Sequence, residues 1–172
     1  MNAIKTCAII GATPNEYSFG YCEESESCVS ERALLVKVVL ELVSLGVTEF
    51  YSTLEYGAEL WAAEAVTAVS ASGGKVELLC APASENQADR WPEYVRDRYF
   101  DLIERYGDDD AFPKLYDKDG RIDPESEPER FDADDYIFGN AESLVIAGPE
   151  NHRAEALAAR FTEAGRVVVR IP

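Results

Sequence analysis

The residues best placed for chemistry lie in YGAELWAAEAV, where Gly57 closes an apolar run and opens an alanine-rich helical pattern with Glu59 in its first turn and Trp61 and Glu64 just beyond. Backbone N–H groups at such a turn can donate to a ligand, and a carboxylate there can accept from a ribose or a base. A tryptophan on an alanine-rich helix also serves packing, so both roles stand for Trp61. The first apolar run ends in GATPNEYSFG, which puts Gly11, Ala12, Thr13 and Pro14 where a phosphate loop would begin. It lacks the Gly-x-Gly-x-x-Gly spacing and the Lys-Ser/Thr pair, so a dinucleotide fingerprint and a P-loop are both excluded. Arg90 and Trp91 form a possible wall on a third loop, and Gly148 opens a fourth.

Other reactive types resolve into bland roles. Cys7 and Cys80 sit in apolar runs as small hydrophobes, and Cys22 and Cys28 lack metal-ligand spacing, with one histidine, His152, far along the chain. His152 reads as a solvated residue at a helix start. DKDGRID over Asp117 to Asp123 imitates part of a calcium loop, but with Gly120 in sixth place Leu115 and Ser126 fall where carboxylates are needed. No Ser-His-Asp or Cys-His set follows from the spacing, so catalytic residues and metal ligands are both expected to be absent.

These groups need a scaffold, and periodicity supplies one. Apolar runs at Ile4 to Ile10, TEFYST, Lys75 to Ala81, Ser143 to Ala147 and Val167 to Ile171 read as strands. Helical patterns separate them, from a Ser30 cap to Gly46, from Gly57 to about Ser72, from about Gln87 to Tyr106, around Asp132 to Ala141 and from Asn151 to Ala164. Strands alternating with helices imply an α/β fold with a central parallel sheet of about five strands, whose ligands bind at the carboxyl ends. The candidate loops are therefore Gly11 to Tyr21, Thr53 to Glu59, Pro82 to Trp91 and Gly148 to His152.

Length and charge narrow the classes further. The 172 residues suit a single domain, and the net charge of −17 repels phosphate backbones, which disfavours nucleic-acid and anionic-membrane partners. Arg90, Arg96, Arg98 and Arg105 are interleaved with acids and read as a mixed-charge solvent face. Residues 107–135 carry 12 acids and 4 bases and read as an acidic, loop-rich insertion. No apolar run reaches membrane-spanning length and no signal peptide is visible, so a cytoplasmic location is expected. The helix before Gly46 is apolar on most sides, which leaves two readings open, cover by its own chain or a homodimer.

Three stretches together resemble the YpsA-like family of the SLOG superfamily, which includes the DprA and LOG proteins. GAELWAAE is similar to that family's Gly-x-Asp/Glu-x-Trp-Ala-Ala-Glu signature, ENQADRWPEYVRDRYFDLIERYGD to its Trp and Arg-Tyr-Phe segment, and FGYCEESESC to its Phe-x-Tyr-x-Glu-Glu with a downstream Cys. The resemblance spans roughly Thr6 to Gly148 and implies a single SLOG-like domain over residues 1–172 with a Rossmann-like three-layer fold. It also implies a pocket for a nucleotide or nucleotide-derived ligand, with Gly57 and Glu59 matching the presumed pocket residues and Trp61 and Glu64 matching the signature. The chain departs from the pattern at Leu54, where the family has a small residue or glycine, and at Glu55, which adds negative charge beside the helix start. Gly148 to Asn151 replaces a Gly-Gly-Thr turn, Ala133 and Asp134 replace an Arg-Asn pair, and the LOG Pro-Gly-Gly-x-Gly-Thr motif is absent.

The function expected on these grounds is a non-catalytic binding or sensing domain for a small nucleotide-like metabolite. The ligand is expected between Gly11 to Pro14 and Gly57 to Glu59, with polyphosphates weaker than nucleosides or monophosphates. A degenerate domain kept as a protein-interaction or scaffold module is the alternative. A hydrolase using Glu59 or Glu64 as general base ranks third.

Overall fold

The computed structural model describes residues 3–84, 86–108, 111 and 132–172. Five strands form one all-parallel sheet: β1 (Thr6–Gly11), β2 (Glu49–Ser52), β3 (Glu77–Cys80), β4 (Ser143–Ala147) and β5 (Val167–Ile171), in the order β3-β2-β1-β4-β5. The helices are α1 (Glu26–Ser44), α2 (Ala58–Ala71), α3 (Glu93–Tyr106), α4 (Ala133–Asn140) and α5 (His152–Glu163). This is a Rossmann-like, three-layer α/β fold. The order reverses between β1 and β4, so the topological switch point lies at that pair.

Central strands are apolar on both faces because both faces are covered. On one face Cys7, Ile9, Phe50, Leu78 and Val145 pack with Leu35 and Val39 of α1, the alanine-rich side of α2, and Val95, Tyr99 and Leu102 of α3. On the other, Ala8, Ile10, Leu144 and Ile146 pack with Ile137 of α4 and Leu157, Ala158 and Phe161 of α5. Burial pushes the Cys7 thiol up to about 11, in keeping with an inert core residue.

The helical pattern that opens at about Gln87 becomes α3 only from Glu93, with Pro92 marking its start, and the other boundaries agree with the periodicity to within two residues except at α1. That helix starts one turn earlier than the Ser30 cap, because the Ser25 hydroxyl accepts from the Cys28 N–H (3.2 Å) and Cys28, fully buried, begins the seam that Leu35 and Val39 continue. Cys28 is therefore a core residue, not a loop thiol; Cys22 alone of the four is exposed. Leu35 and Val39 are buried by the chain itself and Val38 and Leu42 pack against the core, while Leu40 and Leu45 stay exposed. Most of the acidic stretch 107–135, including DKDGRID, lies outside the described residues. Its two described ends are ordered into the fold: Gly107 bridges Cys80 and the Asp108 N–H donates to the Cys80 carbonyl, and α4 follows from Ala133. Among the described residues no helix is long and apolar enough to cross a membrane.

Two glycines are fixed by contact. A Cβ at Gly11 would lie 2.0 Å from the Ala147 carbonyl oxygen, and one at Gly57 (φ 120°) 2.3 Å from the Ala12 carbonyl oxygen. Gly165 (φ 72°) has open space around it. Gly11→Ala and Gly57→Ala are thus expected to lose upwards of about 3 kcal/mol of stability or fail to fold, whereas Gly165→Ala loses about 1–2 kcal/mol, the left-handed backbone penalty alone. Urea unfolding of the three variants checks the contrast.

Candidate functional site

The expected ligand position between the β1 and β2 exits is closed. The Ala58 N–H donates to the Ala12 carbonyl (3.0 Å) and the Ala12 N–H to the Ala147 carbonyl (3.1 Å), so the backbone donors foreseen for a ligand serve the fold. Gly57 is glycine so that the start of α2 can lie directly on Ala12 and Thr13. Gly11 does the same for β4.

Glu59 does not face solvent. It is 2% exposed, and its Oε1 accepts from the Thr53 N–H (2.6 Å) and the Thr53 hydroxyl (2.6 Å), while Oε2 accepts from Arg153 Nη1 (3.0 Å). Arg153, from the first turn of α5, also donates to Asp134 (2.7 Å), one of the two residues standing where the resembled family has Arg-Asn. Its guanidinium pays a desolvation cost that the charges of Glu59 and Asp134 more than offset, so it stays cationic. Glu59 is thus a buried clamp between the end of β2, α2 and α5, not an acceptor for a ribose. The sequence held the signal in the hydroxyl pair Ser52-Thr53 ahead of the turn; nothing nearby pointed to Arg153.

The signature tryptophan and glutamate have a shared partner. Trp61 Nε1 donates to Glu23 Oε1 (2.7 Å), and Arg98 of α3 donates to both Glu23 (Nη1, 2.5 Å) and Glu64 (Nε, 2.5 Å; Nη2, 3.0 Å), with Arg32 of α1 adding a contact to Glu64 (3.3 Å). The three stretches that carry the family resemblance therefore meet at one ionic cluster, Glu64 from the first, Arg98 from the second and Glu23 from the third. Burial alone would raise the Glu23 carboxyl, but hydrogen bonds from Arg98 and Trp61 and the charges of Arg98 and Arg32 outweigh it and hold it below the ordinary carboxylate range. Trp61 and Glu64 are thereby fastened to the fold.

The switch-point crevice is filled by side chains of the loop after β1. Thr13 begins a 3₁₀ turn, Pro14–Glu16, and Glu16 accepts from the Thr13 N–H (2.7 Å) and from Asn151 Nδ2 (2.8 Å), the residue that caps α5. Tyr17, next in line, lies against Gly148 so closely that a Cβ there would be 2.2 Å from the tyrosine oxygen. Gly148 (φ 81°) is a packing surface for Tyr17, which stacks on Phe19 (4.7 Å between centroids) and gives its hydroxyl to Glu31 (3.0 Å). His152, as expected, is an exposed first residue of α5.

An open cavity of about 610 Å³ lies one loop over, above β1, β2 and β3, and four of the ten residues singled out from sequence line it: Thr13, Pro14, Arg90 and Trp91. Glu55, Tyr56 and Tyr21 complete its working walls. The rings of Tyr56 and Trp91 lie 5.5 Å apart and those of Tyr21 and Tyr56 5.8 Å, a continuous aromatic wall drawn from three loops. Gln87 pins the third loop by donating from Nε2 to the carbonyls of Thr53 (2.9 Å) and Leu54 (3.0 Å). Leu54 is buried with φ 57°, the conformation glycine prefers, which is the physical counterpart of the small residue the resembled family has there. Burial first, and then the charge of Glu59, push the Glu55 carboxyl above the ordinary range. The Tyr56 hydroxyl is buried beside that of Tyr94, which gives its own proton to the Tyr21 carbonyl (3.4 Å). Among the described residues no group of His, Cys, Asp and Glu is arranged to hold a metal ion. Searches against protein-family models and curated proteins find no match to the chain.

Two variants separate the fastenings from the cavity. Arg98→Met removes the cation shared by Glu23 and Glu64 and is expected to lose about 2–4 kcal/mol at neutral pH. Glu23 has a depressed value in the folded state, so its contribution is present above its unfolded value and lost as pH falls through the folded one; the gap between variant and parent is therefore full at about pH 7 and narrower at about pH 3. Glu59→Gln, which leaves Arg153 and Thr53 short of a carboxylate, is expected to lose about 1–3 kcal/mol. Denaturant melts at the two pH values read both.

Proposed function

We propose that the protein is a binding domain, without catalysis of its own, for a small nucleotide-derived metabolite held in the cavity above β1, β2 and β3. The observation that carries this reading is the cavity itself: about 610 Å³, the size range of small-molecule sites, at the carboxyl ends of parallel strands, with an aromatic wall of Tyr21, Tyr56 and Trp91 beside Arg90, the one cation among the described residues that line it. Aromatic faces take a base by stacking, and a lone guanidinium at the rim suits a single anionic group. The resemblance to YpsA-like SLOG proteins points to the same ligand class. The two acids that a hydrolytic reading would use, Glu59 and Glu64, are each committed to an arginine, which favours binding over turnover.

The alternative, an interaction or scaffold module that self-associates, draws on a different surface. Leu40 and Leu45 of α1 are 52% and 70% exposed, and Val167 and Val169 of the edge strand β5 are nearly half exposed. Sedimentation at micromolar concentration distinguishes it, since a dimer dissociated by Val169→Lys would place association there.

Nucleosides, nucleoside monophosphates and triphosphates, tested by thermal shift and titration calorimetry, check the leading reading. A ligand at a thousandfold excess over its Kd stabilises the fold by about 4 kcal/mol. Trp91→Ala should weaken binding by about 1–3 kcal/mol while also lowering the melt of the free protein, because Trp91 packs on Tyr99 of the core, and Arg90→Ala should weaken monophosphates more than nucleosides. No shift with any member of the panel would refute it.

A further inference from the structure

Glu55 is out of keeping with the other half-buried acids. Glu23 and Glu64 share Arg98, Glu59 holds Thr53 and Arg153, and Glu31 accepts from Tyr17. Glu55 makes no ion pair and takes no hydrogen bond from a protein side chain among the described residues; the backbone N–H of Tyr56 is its one close donor. Arg153, the nearby cation, is spent on Glu59, Asp134 and Thr53. Glu55 lines the cavity together with Tyr56 and Trp91, and its carboxyl group feels the like charge of Glu59. A partly desolvated carboxylate with so few donors is unfavourable in the empty fold.

Resting on the reading that the cavity takes a nucleotide-derived ligand, we infer that Glu55 determines which one, by accepting from a heterocycle that presents two adjacent N–H donors, as the guanine edge does with its ring N–H and 2-amino group. A carboxylate is an acceptor-only fork whose two oxygens match two parallel donors, and such bidentate, charge-assisted pairs are the strong ones. The base supplies the donors that the fold withholds from Glu55, and its plane lies along the wall formed by Tyr56 and Trp91. Removing the 2-amino group, as in inosine, leaves one donor. Adenosine offers an amino group next to a ring nitrogen acceptor, which faces the carboxylate unfavourably. A phosphate chain directed to this end of the cavity meets like charge, so Arg90 is left to take any anionic group.

Titration calorimetry with guanosine, inosine and adenosine on the full chain tests this, alongside the Glu55→Gln and Arg90→Ala variants. The expected result is guanosine bound about tenfold or more tightly than inosine or adenosine by the parent protein. In Glu55→Gln, whose amide offers one acceptor and one donor, the preference should collapse to within about threefold, with the melting temperature of the free protein not lowered, because Glu55 holds no protein side chain and its charge is unfavourable in the empty fold. Arg90→Ala should leave the guanosine-to-inosine ratio as it was. Equal binding of guanosine and inosine by the parent, or a preference that survives in Glu55→Gln, overturns the role of Glu55 while leaving the cavity as a nucleoside site. Failure of all three nucleosides and their monophosphates to bind overturns both readings.

Discussion

The contact of α2 with the exit of β1 governs the end of this molecule where the strands leave the sheet. With Gly57 lying on Ala12, two backbones touch, and no space is left at the point where a ligand would most simply enter. Everything above the sheet is arranged around that closure. Glu59 turns back to the end of β2 and reaches Arg153, Glu16 and Tyr17 fill the space beside β4, and the remaining opening is displaced towards β3, where the loops after β1, β2 and β3 diverge. The cavity exists because its neighbours are sealed.

The acid surplus has a local logic that a net charge of −17 conceals. The acids that matter to the fold are paired where elements meet: Glu59 with Arg153, and Glu23 and Glu64 with Arg98. These pairs are partly buried, so salt screens them less than it screens the surface surplus. Each links elements far apart in sequence, which makes them devices of specificity as much as of stability. Arg98 belonged, in the sequence, to a set of arginines diluted by acids; the structure separates it from Arg105, whose pairing with Asp101 is an exposed helix-surface contact.

Most of the fold was legible because its signals are local. The runs SLVIA and VVVRI became β4 and β5 with the bounds their composition implied, and glycine marked the start of α2. The start of α1 was missed because Ser25 and Ser30 are both plausible caps, and the choice fell to Cys28, whose burial only the packed core reveals. The site was half legible. Thr13, Pro14, Arg90 and Trp91 line the cavity, but Glu59 looks the same in sequence whether it turns outward to a ligand or back to Thr53, and its arginine lies 94 positions away. Glu55 registered only as a charge hostile to phosphate, since the aromatic wall around it comes from three separate loops. Tyr21 and Tyr56, aromatic residues on strand-end loops, were the available hint.

The two borders of the sheet differ in kind. β3 is shielded at its end by the returning chain at Gly107 and Asp108 and carries the exposed Glu77, while β5 presents a bare, valine-rich margin. The lining of the cavity comes from the loops that follow β1, β2 and β3, with none from β4 or β5. The cavity and the exposed valine edge therefore lie on opposite halves of the same sheet. A strand laid against β5, whatever its origin, would lengthen the architecture without touching a single atom of the aromatic wall, so that the domain can acquire new attachments by accretion at one margin while the other is left intact.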